Sequence, residues 1–322
     1  MKTGFRNFAA AALLALGAAH AALAAWPEKP ITLVVPWAAG GSTDILARTV
    51  SEKLSQSLGV AVVVDNKAGA SGNIGSLAVV RAKPDGHTIL FGSMSTHAMN
   101  GALMAKMPFH GVDDFAPIGL LAYVTNTMVV HPSVPANNVK ELIAWAKANP
   151  GKLAYASAGP GSTNHLSAVL LERLAGIEML HVPYKGGAPA VADTVAGQTQ
   201  VLFTAATQSL PHVKVGKLKL LAVTEAKRSP LLPEVPTVAE TVPGYELAVW
   251  YGAFAPLGTP AEIVSRLNAE INKAMNLPDV KARMSAMGVE VATTTPEQFA
   301  TLLKRDEQRY GKLIREFGIK AE

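Results

Sequence analysis

Not one of the 322 residues is a cysteine. That excludes a disulfide framework, a thiolate metal site, a thiol nucleophile and a lipid-modified N-terminal cysteine. Charge is also sparse. Charged residues make up 16% of the chain and aromatic residues 6%, against 49% hydrophobic residues, which suits a well-filled globular core and excludes a disordered chain. The formal net charge of +5 includes Lys2 and Arg6 of an N-terminal export signal, so 5 − 2 leaves +3. Basic residues are scattered. The nearest approach to a cluster, Lys214, Lys217 and Lys219, alternates with apolar residues like a half-exposed strand, and no nucleic-acid partner is expected.

Enzyme fingerprints are missing too. Gly69-Ala70-Ser71-Gly72 lacks the spacing of a hydrolase elbow, and no phosphate loop ends in Gly-Lys-Ser/Thr. Gly40-Gly41 lacks the later glycine of a dinucleotide fingerprint, and Gly69, Gly72 and Gly75 lack its spacing. No two histidines stand at metal-ligand spacing on a helix, so no metal and no cofactor are expected. Nothing marks a nucleophile, although a Ser-His-Asp triad assembled from distant positions stays open.

The first residues carry an export signal. Lys2 and Arg6 supply a positive start, residues 8–19 an apolar run too short for a membrane span, and Ala22-Leu23-Ala24 a small-x-small cleavage site, with cleavage expected after Ala24. After it, strand and helix signals alternate, which argues for α/β architecture with mainly parallel sheets flanked by helices. A strand is expected over 31–35, a helix over 44–57 stopped by Gly59, and a strand over 61–64. Residues 153–157, 164–174 and 178–182, with a stop at Gly176, repeat this βαβ shape. Capping boxes are expected at Thr259 and Thr295, each followed by proline, and at Asn138 with Glu141. The helices after Pro260 and Pro296 carry the apolar faces of core-packing helices.

Both βαβ units turn from strand to helix through glycine. Gly41-Ser42-Thr43 in the first recurs as Gly161-Ser162-Thr163 in the second. A helix start leaves backbone N–H groups unpaired and carries partial positive charge, so it holds an anion without a basic side chain. Ala39, Gly40 and Gly41 are therefore candidate cradle residues for a carboxylate, with Gly159, Gly161 and Ser162 as counterparts. If the two strand ends face each other, the ligand lies between them. The competing reading makes these turns merely well capped, by Ser42 and Ser162. Asp44 sits in the first turn, where it would tune ligand choice. Ser93, Ser95, Thr96 and His97 follow an apolar run at another strand end and could add donors. His97 and His165 are equally consistent with structural roles, and Thr204 ends a further apolar run.

The motif Val-Pro-Trp-Ala-Ala-Gly-Gly-Ser-Thr-Asp over 35–44, Asp65-Asn66-Lys67-Ala68-Gly69-Ala70, Pro84-Asp85-Gly86-His87-Thr88, Val182-Pro183-Tyr184-Lys185-Gly186-Gly187 and the 157–166 corner, in this order, closely resemble the Bug/TctC family of extracytoplasmic solute receptors. The resemblance spans the chain after the signal. It implies a two-lobed periplasmic binding protein fold of type II-like form, with residues 25–124 and 251–322 in one lobe and 125–250 in the other. Hinge strands would lie near 122–127 and 247–254, with the ligand cleft between the lobes. It further implies a monomeric periplasmic receptor that is no enzyme, captures a small carboxylate and serves the membrane permease of a tripartite tricarboxylate-type uptake system. The ligand would be held by the corners 37–44 and 157–165, which adds Trp37, Thr43, Ser157 and Asn164 to the candidates. Trp37 departs from the usual Phe or Tyr, implying a smaller or flatter guest, and Thr204 replaces an acid common in relatives. The alternatives are a secreted hydrolase using one corner as an oxyanion hole and a sensory receptor for a signalling kinase.

Overall fold

The computed structural model describes residues 26–104 and 106–320, the side chain of Ser42 excepted. The expected export signal and its cleavage site lie outside the described residues. Two sheets organise the chain. The first runs in the order β11-β4-β10-β3-β1-β2, from β1 (Ile31–Val35), β2 (Val62–Asn66), β3 (Thr88–Ser93), β4 (Phe115–Val124), β10 (Val249–Pro256) and β11 (Val289–Val291). The second runs β7-β6-β8-β5-β9, from β5 (Asn126–Val130), β6 (Ala154–Ser157), β7 (Leu180–Pro183), β8 (Val201–Ala205) and β9 (Lys219–Val223). Helices α1 (Ser42–Leu58), α2 (Asn73–Val80) and α3 (Asn100–Leu103) follow β1, β2 and β3 in the chain; α4 (Val139–Ala148), α5 (Thr163–Ala175), α6 (Gly187–Val195) and α7 (Ala206–Lys214) follow β5 to β8; α8 (Ala261–Met275), α9 (Pro278–Ala286) and α10 (Pro296–Glu316) complete the chain.

Each sheet is mixed. β1 pairs in parallel with β2 and β3, as β6 does with β7 and β8, because each βα crossover returns the chain in the same direction. The strands next to the passages between sheets run antiparallel: β10 against β3 and β4, β5 against β8 and β9. The chain leaves the first sheet at Val124 and enters the second at Asn126. Thr125, between them, donates its N–H to Gly288 O at 3.0 Å and accepts that of Ala206 at 2.8 Å. The return is tied beside it, where Thr224 N–H meets Asn126 O and Leu247 N–H meets Thr224 O, both at 2.9 Å. Asn126 N–H donates to Glu225 Oε1 at 2.9 Å, and burial lifts the Glu225 carboxyl to a pKa of about 7.

Helix limits follow local chemistry. α1 and α5 stop at left-handed Gly59 and Gly176, where a side chain would be strained. Thr295 forms its capping box with Gln298, both arms present, and Asn138 accepts the N–H of Glu141 at 2.9 Å. Thr259 does not cap: its hydroxyl donates to Pro256 O at 2.8 Å, and Pro260 takes the cap position of α8. The lysine run is not one strand either. Lys214 ends α7, and only Lys219 lies in β9, its ammonium donating to Val134 O at 2.6 Å and Asn137 Oδ1 at 3.3 Å.

The cores sit against the sheets. α8 buries Ile263, Val264, Leu267, Ile271 and Met275 on one face. α10 seats Phe299 edge-on against Trp250, whose indole N–H reaches the buried Asp306 carboxylate at 2.8 Å. Gly252 of β10 lies under the Phe299 ring: a Cβ there would stand 2.2 Å from Phe299 Cζ. Gly252→Ala should therefore lower stability by about 1–3 kcal/mol through overpacking, seen as a lower urea midpoint at unchanged slope. An unchanged midpoint would show that the ring has room to yield.

Candidate functional site

In the first corner, between β1 and α1, Gly40 takes a left-handed turn at φ +80°. Its N–H is not open to a guest. It donates to Asp44 Oδ2 at 2.9 Å, and the same carboxylate accepts Arg48 Nε and Asn66 Nδ2 at 3.0 Å each. Asn66 also donates to Trp37 O at 3.1 Å, so one asparagine of β2 braces both ends of the corner. Burial pushes the Asp44 pKa up, but the hydrogen bonds from Arg48, Gly40 and Asn66 outweigh it and hold the carboxyl below its ordinary value. Gly41 forms the N-cap of α1 without a side-chain hydrogen bond, its N–H directed to Ala38 O at 3.4 Å.

The second corner reaches the same shape with neutral groups. Gly159 and Gly161 have φ of +117° and +81°. Gly159 N–H donates to Ser157 Oγ at 3.1 Å, Gly161 N–H to His165 Nδ1 at 3.2 Å, and Ser162 N–H to Gly159 O at 3.1 Å. Ser162 caps α5, its hydroxyl donating to Gly159 O at 2.7 Å and accepting His165 N–H at 3.3 Å. Because Nδ1 accepts, His165 is neutral with its proton on Nε2. Its ring stacks 4.4 Å from that of His181, whose Nε2 lies 2.6 Å from Ser157 Oγ. Burial, and then the neighbouring His181, lower the His165 pKa to about 4.

Both corners thus use the glycine amides to hold themselves in shape. The N–H groups left for a guest are those of the first helical turns, which have no intrahelical partner. Gly41 and Thr43 at the start of α1, and Ser162, Thr163 and Asn164 at the start of α5, line one cavity of about 40 Å³ between the two sheets. Trp37, Val249 and Tyr251 give it an apolar and aromatic wall, and Ser93, Ser95 and Thr204 add hydroxyls. Gly187 and Ala205 bring the starts of α6 and α7 to the same space, with Asn126 and Gln208 beside them. Among the described residues no charged side chain lines it.

Of the candidates read from sequence, Trp37, Gly41, Thr43, Ser93, Ser95, Ser162, Asn164 and Thr204 meet at this cavity. Ala39 and Gly40 lie exposed outside it, and Asp44 faces Arg48 and Asn66. Ser157, Gly159, Gly161 and His165 brace the second corner from behind. Thr96 is turned onto Ser93, donating to its carbonyl at 2.9 Å. His97 is buried with its ring 3.7 Å from that of Phe254 and nearly parallel to it, and burial lowers its pKa to about 3. Asn126, Gly187, Gln208 and Tyr251 escaped sequence reading. Gly187 had a signal in the Gly-Gly-Ala-Pro start of α6; Asn126 and Tyr251 fall within the expected crossings, but nothing local marks Gln208.

Two α/β sheets exchanging strands at a double crossing, with a polar cavity between them at converging helix starts, define a two-lobed solute-binding protein. A family model described as the tripartite tricarboxylate transporter family receptor, TctC, matches residues 46–319. A protein of the tcbD–tcbE intergenic region of Pseudomonas sp. strain P51 is 43% identical over 301 residues, covering 93% of this chain and 89% of that one. The R. palustris protein Rpa4515, solved with adipate, superposes at a TM-score of 0.89 with 36% identity, over 92% of this chain and 99% of that chain. The periplasmic binding protein BugD superposes at 0.88 with 36% identity, over 92% and 100%. The chain belongs to the TctC receptor family of periplasmic solute-binding proteins, to which the Bug proteins are related.

The buried histidine predicts a pH response. Between pH 4 and 6.5 the unfolded chain binds a proton at residue 165 that the folded chain does not, so this contribution to stability is lost as pH falls through that window. His165→Asn keeps an acceptor for Gly161 and removes the titration. Comparing urea midpoints at pH 7 and pH 4.5, the drop should be smaller in the variant than in the native protein; equal drops would refute the assignment.

Proposed function

We propose that this protein reversibly captures a small carboxylate between its lobes and hands it to the membrane permease of a tripartite tricarboxylate-type uptake system. It works in the periplasm, as a monomer, with no cofactor and no covalent step. The observation that carries this reading is the cavity itself: helix starts from both lobes open onto one space with hydroxyls and amides and, among the described residues, no charged side chain. Aligned N–H groups and helix dipoles then supply the favourable field for an anion. A hydrogen bond to a charged group contributes roughly 1.5–3 kcal/mol. Several of them, with Trp37 and Tyr251 as a wall, reach about micromolar affinity once the cost of association is subtracted. A relative of this fold holds adipate.

The size of the cavity bears on the guest. A water needs about 10–15 Å³ on this scale, so 40 Å³ suits a short, slim molecule with the lobes as they stand. Ser71 donates to Pro160 O beside a neighbouring hollow that shares Trp37 and Ala158 with the cavity, so the lobes touch as they stand. A guest enters when the lobes part, and their return removes it from water.

Binding is favoured over hydrolysis by where the imidazoles lie. The hydroxyl–imidazole pairs Thr96–His97, at 2.7 Å, Ser157–His181, at 2.6 Å, and Ser133–His131, at 2.8 Å, belong to residues outside the cavity. Ser162, which does line it, commits its hydroxyl proton to Gly159 O.

Calorimetry against mono- and dicarboxylates of two to six carbons should find at least one ligand with a dissociation constant of about a micromolar. At a hundredfold excess over that constant, stability should rise by about 2.7 kcal/mol. Thr163 begins α5, and Ser162 before it is extended, so Thr163→Pro removes one N–H while the helix stays intact. Its affinity should fall about tenfold or more, and Thr163→Ala, which keeps the amide, should lose less. A flat response across the panel, or native affinity in the proline variant, contradicts the reading.

A further inference from the structure

Gln208 is the third residue of α7, and its side chain lines the cavity. Two neighbours fix its carboxamide. The Thr204 hydroxyl donates to Oε1 at 3.1 Å. A Cβ on Gly187 would stand 2.7 Å from Oε1 and 3.2 Å from Nε2, so the amide lies flat against the start of α6 in space that only glycine leaves free. Nε2, with two hydrogens, has no hydrogen-bond partner among the described residues. The other two carboxamides at the cavity are engaged. Asn164 donates to Phe203 O, and Asn126 to Ser167 Oγ at 3.2 Å.

What is missing around Gln208 has equal weight. Among the described residues no carboxylate lines the cavity, and Asp44 has its oxygens on Gly40, Arg48 and Asn66. The starts of α1, α5, α6 and α7 all reach the space, and each brings partial positive charge. An ammonium group would lose its water there without gaining an anionic partner. The geometry points to Gln208 as a specificity-determining residue: pinned by Thr204, it donates to an acceptor at the second polar group of the guest, a hydroxyl, keto or second carboxylate group, and the cavity takes acids that carry no ammonium. This rests on the carboxylate-capture reading and names the class of acid within it.

The test uses the full chain after export and a four-carbon series that differs at one substituent, succinate, L-malate and L-aspartate, with adipate as a longer probe. By calorimetry the native protein should bind at least one of the three non-amino acids and bind L-aspartate at least about tenfold more weakly than L-malate. Gln208→Leu should weaken L-malate about tenfold or more by removing the donor. Gln208→Glu should weaken the non-amino acids further and shift the ratio of L-malate to L-aspartate affinity toward L-aspartate, because the new carboxylate repels the first and pairs the second. Thr204→Val should give an intermediate loss by freeing the amide to rotate. Ligand-free melting temperatures of the variants report folding separately. Native-like affinities in both Gln208 variants, or an unaltered ratio in Gln208→Glu, would overturn the assignment while leaving carboxylate capture standing. A native preference for L-aspartate also overturns it. A native protein that binds none of the probes overturns capture itself, and this inference with it.

Discussion

Asp44 reaches back to the N–H of Gly40 and is held there by Arg48 and Asn66. Everything at the cavity depends on that arrangement. An acid in the first turn suits the dipole of α1, yet a carboxylate facing the cavity would repel an anionic guest. The hydrogen bonds resolve the conflict by holding the charge on Arg48 and Asn66, away from the cavity, and by keeping the corner bent. In the second lobe the corresponding task falls to Ser162 and His165, which close the corner with no net charge. Two different solutions to one backbone problem leave the same consequence: main-chain dipoles, rather than side-chain charges, define the polarity of the space between the lobes.

The passage between the sheets and the cavity share a residue. Asn126 lines the cavity, its N–H is held by Glu225 and its carbonyl accepts Thr224 N–H at the return passage. Thr125, one residue before, ties β11's neighbour Gly288 to the start of α7. Strand passage, helix start and cavity wall are therefore directly tied to one another.

Much of the fold was legible because its signals are local. β1 spans the expected residues, the stops at Gly59 and Gly176 need only a left-handed glycine, and the Thr295 box closes within four residues. Thr259 misled because the same hydroxyl that caps a helix also bonds a preceding carbonyl, and tertiary context chose the latter. The antiparallel members β5 and β10 read as plain apolar runs, and direction is not encoded in an apolar run. At the site, the position of both corners was legible from the repeated Gly-Ser-Thr. Which N–H groups stay open was not, since that depends on partners several residues away, Asp44 for Gly40 and His165 for Gly161. For His97 and His165 the structural one of the two readings fits, since both are buried and neutral. Gln208 and Tyr251 come from distant segments that only the folded chain brings together.

Among the described residues neither lysine nor arginine lines the cavity. Mobile ions screen exposed side-chain charges over about 8 Å at physiological ionic strength, whereas interactions with donors fixed in the backbone of a partly enclosed cavity are screened much less. Affinity should then hold steady while the salinity outside the cell rises and falls, a useful property for a receptor whose compartment is open to the surroundings.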